Sequence, residues 1–142
     1  MKRLVIYFLV LYLFGCSSNI KDDKIDKIVI YNIGLGVLTP TPMTEESIRD
    51  IEAYEIRNLD SINLVKEYIS KLKPSKYNQI VENIYMVSDF YYNNKKLYTL
   101  RFDKGSIEFD GNVFEKNDTL IEILYRNDIR FKRNYNNIKK DK

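Results

Sequence analysis

An α+β fold, an antiparallel β-meander sheet packed against one or two helices in a single small domain, is what the amino-acid sequence predicts. Three observations predict it. Between Ile84 and Phe114 apolar residues alternate with polar ones and are interrupted by turn residues, the pattern of consecutive strands. Across Asp60 to Leu72 the apolar spacing lengthens to three and four, the pattern of one amphipathic helix. The chain has 142 residues, enough for one domain.

Taken in order, Ile28-Val29-Ile30-Tyr31 is β-branched and aromatic and predicts a first strand that ends near Gly34 and Gly36. Thr39-Pro40-Thr41-Pro42 is an extended loop, because the residue before each proline is pushed away from helical angles. Thr44 is placed to cap a short helical turn whose Glu45 and Glu46 suit the positive end of the helix dipole. Ala53 to Arg57 alternates and predicts a second strand. In Asp60 to Leu72, Ile62, Val65, Ile69 and Leu72 share one face; Asp60 is the expected N-cap, and Pro74 blocks continuation. The opposite face is mixed in charge, which favours packing on a sheet over lying on a membrane.

In the meander, Ile84, Met86, Ser88, Phe90 and Tyr92 fall on one side, and Tyr85, Val87, Asp89 and Tyr91 on the other. Asn93-Asn94-Lys95-Lys96 is a turn, and Leu97 to Phe102 is the next strand, with Tyr98, Leu100 and Phe102 in phase. Lys104-Gly105 turns into Ser106 to Phe109, and Asp110-Gly111 carries the type I′ hairpin signal before Val113 and Phe114 return. Asn117 or Asp118 caps a last helix that buries Leu120, Ile121 and Leu124.

Composition excludes several chemistries. There is no histidine and one cysteine, which removes His-based triads, His zinc sites, CxxC motifs and any internal disulfide framework. Gly34-Leu35-Gly36 lacks the rest of a phosphate-binding loop. Ser70-Lys71-Leu72-Lys73 fits the S-x-x-K string of penicillin-binding proteins, but the S-D-N and K-T-G partners do not follow it. Asp103, Glu108 and Asp110 cluster around the turns of the meander, where a calcium ion or a hydrolytic carboxylate pair would find its oxygens. EF-hand spacing fails, and turn chemistry accounts for Asp110-Gly111. No motif implies a metal or another cofactor. Of the twelve tyrosines, Tyr91-Tyr92 puts two rings on opposite faces of one strand, which suits one exposed ring on a contact surface, although an Asn-, Ile-, Lys- and Tyr-heavy composition of the kind AT-rich genomes give accounts for the tyrosines better.

At the start of the chain, Lys2 and Arg3 precede an unbroken apolar run from Leu4 to Phe14, followed by Gly15 and Cys16. A helix of eleven residues reaches about 16 Å, half a bilayer core, which suits a secretory signal and not a permanent span. Leu13-Phe14-Gly15-Cys16 resembles the lipobox of bacterial lipoproteins. The resemblance covers residues 1–16 and implies cleavage before Cys16, lipid attachment (palmitate among the acyl chains) at Cys16, and residence on the periplasmic or cell-surface side of an envelope membrane. Lys21-Asp22-Asp23 resembles the short basic-acidic-acidic signal that sends some bacterial lipoproteins to the cell surface, although a solvated linker accounts for it as well.

The expected organisation is therefore a signal peptide over 1–15, a flexible tether over 16–25, the α+β domain over 26–127 and a basic tail over 128–142. Residues 126–142 hold seven basic and two acidic residues on an otherwise slightly acidic body. Such a tail suits a frayed terminus, anionic headgroups or an acidic partner. Nucleic acid is not expected, since no binding motif is present. These features lead to the expectation of a lipid-anchored, non-catalytic binding module of the cell envelope, with a protein, peptide or glycan ligand. An immunity or inhibitor lipoprotein is one form of it. The alternatives are a carboxylate-dependent hydrolase of envelope polymers and an envelope assembly subunit.

Overall fold

The computed structural model describes residues 20–34, 39–76 and 83–126. The signal segment, Cys16 and the basic tail over 128–142 lie outside the described residues. Six strands form one antiparallel sheet among them: β1 (Lys27–Asn32), β2 (Tyr54–Ile56), β3 (Met86–Tyr92), β4 (Lys95–Phe102), β5 (Ser106–Phe109) and β6 (Asn112–Glu115), in the spatial order β2-β1-β3-β4-β5-β6. Three helices accompany them: α1 (Glu45–Arg49), α2 (Leu59–Ser70) and α3 (Asp118–Arg126). The α+β meander expected from the sequence is the fold observed. None of the described helices is long and apolar enough to cross a membrane.

The β3–β6 meander forms because its turns are chemically suited to close it. Asn93 and Asn94 take φ values of 50° and 61°, and Asp110 and Gly111 take 49° and 76°. Two successive positive-φ residues define the type I′ turn, whose twist matches that of the flanking strands. The first turn is therefore two residues long, not the four expected over Asn93–Lys96, and Lys95 and Lys96 already belong to β4, opposite Tyr92 and Tyr91. A bulge between Phe90 and Tyr91 shifts the register there.

The two faces of the sheet are covered by different layers. On one, Ile28, Ile30, Met86, Phe90, Leu100 and Phe102 pack against Ile62, Val65 and Ile69 of α2 and Leu120, Ile121 and Leu124 of α3. Each fully buried side chain of this kind contributes about 1.5–3 kcal/mol. On the other, Val87 packs with Ile84 and with Ile48 of α1. Ile84 and Tyr85 are the reverse of the alternation expected: Ile84 lies with Val87, and Tyr85 with Met86 and Phe90. The regular strand begins only at Met86, and the preceding residues are instead held by bonds from the Ile84 and Tyr85 N–H groups to the Met43 and Phe102 carbonyls.

Helix starts follow local capping. Thr44 and Ser47 form a reciprocal capping box for α1. Asn58, not Asp60, caps α2; its extended backbone lets the side chain accept from the Ser61 N–H, and Asp60 lies in the first turn. Asn117 accepts from Leu120 N–H ahead of α3. A further correction concerns the tether expected over 16–25. Ile20 is 3% exposed and Ile25 6%, both within the main core, so residues 20–25 belong with the domain.

Candidate functional site

The sheet register builds a polar ladder on the face that α1 covers. Asp89 on β3 lies opposite Val29 on β1 and Thr99 on β4, and Val87 lies opposite Arg101, which lies opposite Glu108 on β5. Helix α1 lays Glu45 and Arg49 over this ladder, one turn apart. The result is a chain of alternating charge, Lys96–Asp89–Arg49–Glu45–Arg101–Glu108. Arg49 grips Asp89 with two nitrogens, one of them at 2.9 Å. It also donates to Glu45 Oε1 at 2.7 Å. Arg101 donates to Glu45 Oε2 at 2.6 Å and to Glu108 Oε1 at 2.6 Å. Thr99 Oγ1 donates to Asp89 Oδ1 at 2.8 Å, and Lys96 Nζ stands 3.9 Å from the same oxygen.

Asp89 is 1% exposed, a burial that a carboxylate sustains when paired and hydrogen-bonded. The paired charges set the local electrostatics. Burial alone would raise the Glu45 carboxyl, but hydrogen bonds from Arg49 and Arg101 outweigh it and hold the group below its ordinary range. The hydrogen bond to Asp89 holds the Arg49 proton more firmly than usual, against the effect of burial. Arg49 also lies over the Tyr31 ring, 5.3 Å from its centroid. Burial, and then the Asp89 charge, raises the Tyr91 hydroxyl.

Along β4, β5 and the β5–β6 turn there is a groove of about 300 Å³ lined by Lys96, Thr99, Arg101, Glu108, Asp110 and Gly111, among others. It offers an ammonium, a hydroxyl and carboxylates side by side, a mixture suited to polar recognition. Tyr91 and Tyr92 are both half-buried rather than one ring being openly displayed, and Lys27 Nζ sits 4.7 Å from the Tyr91 ring centroid.

Of the residues picked out in the sequence, Cys16 lies outside the described residues. The three turn carboxylates do not converge. Asp103 and Asp110 flank opposite ends of β5, so only Glu108 and Asp110 reach the groove. Asp103 accepts from the N–H groups of Gly105 and Ser106, both at 2.7 Å, and thereby closes the β4–β5 turn. Among the described residues no group of three or more Asp, Glu, His or Cys is arranged to hold a metal ion. Asp89 was missed as a member of the site because alternation reads it as an outward polar residue. The available signal was its position, a lone carboxylate at the middle of the apolar run Met86–Tyr92. No family model matches the chain, and no curated protein or solved structure matches it either.

Proposed function

We propose that this chain is a lipid-anchored binding module of the bacterial cell envelope, without catalytic activity, that presents the open polar part of its sheet to a protein, peptide or glycan. The lipobox-like Leu13-Phe14-Gly15-Cys16 supports the anchor and the location. The observation that carries the binding role is the alternating charge chain with the groove beside it. Glu45, Asp89 and Glu108 each face an arginine, and Glu45 is held ionised, which favours recognition over proton transfer. An immunity or inhibitor role is the form of this reading that suits a small anchored domain, and it rests on analogy of size and setting.

The test places a photo-crosslinking residue at Thr99, in the groove, and in parallel at Asn63, on the exposed side of α2. In the native host the Thr99 position is expected to give a discrete adduct and Asn63 none. Equal labelling at both, or none at either, overturns the groove as the ligand surface. Intact mass of the protein from its native host is expected to show Cys16 as the first residue, carrying acyl chains; a mass with the starting methionine still joined and the sulfur bare overturns the anchor.

A further inference from the structure

The point where the chain enters the domain is fixed on three sides. Lys66 Nζ of α2, a lysine only 9% exposed, donates to the Asp23 carbonyl at 2.6 Å. The Tyr98 hydroxyl of β4 donates to the Asp23 carboxylate. Asp26 accepts from the Asn93 N–H at 2.7 Å, and its own N–H bonds the Tyr91 carbonyl at 2.9 Å, which ties the segment to the β3–β4 hairpin end. Ile20 is sunk in the core. Only residues 17–19 then separate Cys16 from the packed body, and four fully extended residue steps cover at most about 14 Å. The eight-residue strand β4 alone is about 26 Å long.

From this, and resting on lipid attachment at Cys16, we infer that the anchoring membrane covers the pole of the domain formed by Lys24, the Asn93–Asn94 turn and Lys95. The opposite pole, at the β4–β5 turn around Lys104, faces away. A leash shorter than the domain does not allow it to roll over. Exposed Lys24 and Lys95 share this pole with Asp26, so the surface is mixed in charge. The contact is therefore set by covalent reach and not by attraction to anionic lipid.

The experiment uses the full lipidated protein in phosphatidylcholine vesicles carrying a headgroup-level fluorescence quencher. With Cys16 acylated, a cysteine introduced by Lys95→Cys or Lys104→Cys is the single free thiol and takes the fluorophore. The dye at 95 is expected to lose most of its emission and the dye at 104 to keep it, equally in neutral and anionic vesicles. Insertion of 16 Gly/Ser residues after Ser18, adding about 20–24 Å of reach, is expected to abolish the difference. Equal quenching at both positions in the lipidated protein, or quenching at 95 only with anionic lipid, overturns this inference alone. A protein whose intact mass carries no lipid overturns the anchoring reading and this inference with it.

Discussion

Asp89 and Ser88 are neighbours on the central strand, and both are buried polar residues, yet their energetics are opposite. Asp89 accepts from Arg49 and Thr99, so its removal leaves a partly covered guanidinium with Glu45 as its remaining carboxylate and takes the acceptor from the Thr99 hydroxyl. Asp89→Ala is expected to lower unfolding free energy by about 2–4 kcal/mol, measured by urea denaturation. Replacing both partners, with Arg49→Met and Asp89→Leu, is expected to recover much of that loss, because apolar pairs of similar volume tolerate such positions well. Ser88 lies on the other face with a buried hydroxyl that bonds no partner. Ser88→Ala is accordingly expected to leave stability within about 1 kcal/mol or to raise it. A large loss in Ser88→Ala would mean that the hydroxyl is satisfied in solution.

At the scale of the element, α1 has five residues, too few to be stable in isolation. Ile48 and the grip of Glu45 and Arg49 on the sheet hold it in place. Because the Glu45 carboxyl is depressed in the folded state, its contribution is present above its unfolded pKa and lost as pH falls through the depressed value. Acid titration is therefore expected to loosen α1 below about pH 4.5, and Glu45→Gln, followed by circular dichroism against pH, to weaken the protein at neutral pH while flattening that acid limb. Most elements were legible in the sequence because their causes are local: Asp110-Gly111 closes a turn by its own backbone preference, and Ile62, Val65 and Ile69 mark a helix face by spacing. The charge chain was not legible. Glu45 enters the sequence reading only as a charge suited to the helix dipole, and nothing in the spacing of residues 45–49 points from Arg49 to a carboxylate forty positions downstream. For the same reason residues 20–25 read as a tether, since two isolated isoleucines among charges show no period; their burial comes from joining the distant main core, with Lys66 and Tyr98 holding Asp23 between them.

For the molecule as a whole, an open sheet must protect two edges, and each is handled differently. β2, at one end, is only three residues long, which leaves little to pair with. β6, at the other, is covered by the chain leaving α2: Ser75 N–H bonds the Val113 carbonyl at 3.0 Å, Glu115 N–H bonds the Lys73 carbonyl at 2.8 Å, and Pro74 bridges to Phe114. Pro74 thus has two effects, ending the helix and occupying a strand edge where its missing N–H faces away from the ladder. This cover keeps the meander from templating a second copy of itself. Ser75→Pro removes the donor to Val113 while retaining the extended backbone that a proline at 75 requires of Pro74. Its expected effect on stability is small, about 1 kcal/mol. Its expected effect on association is larger, a concentration-dependent shift to dimers or higher species in light scattering, because the Val113 carbonyl on the strand edge is then open to an incoming chain. If Ser75→Pro stays monomeric at high concentration, the Lys73–Ser75 segment is not what guards this edge, and the short length of β6 is sufficient by itself.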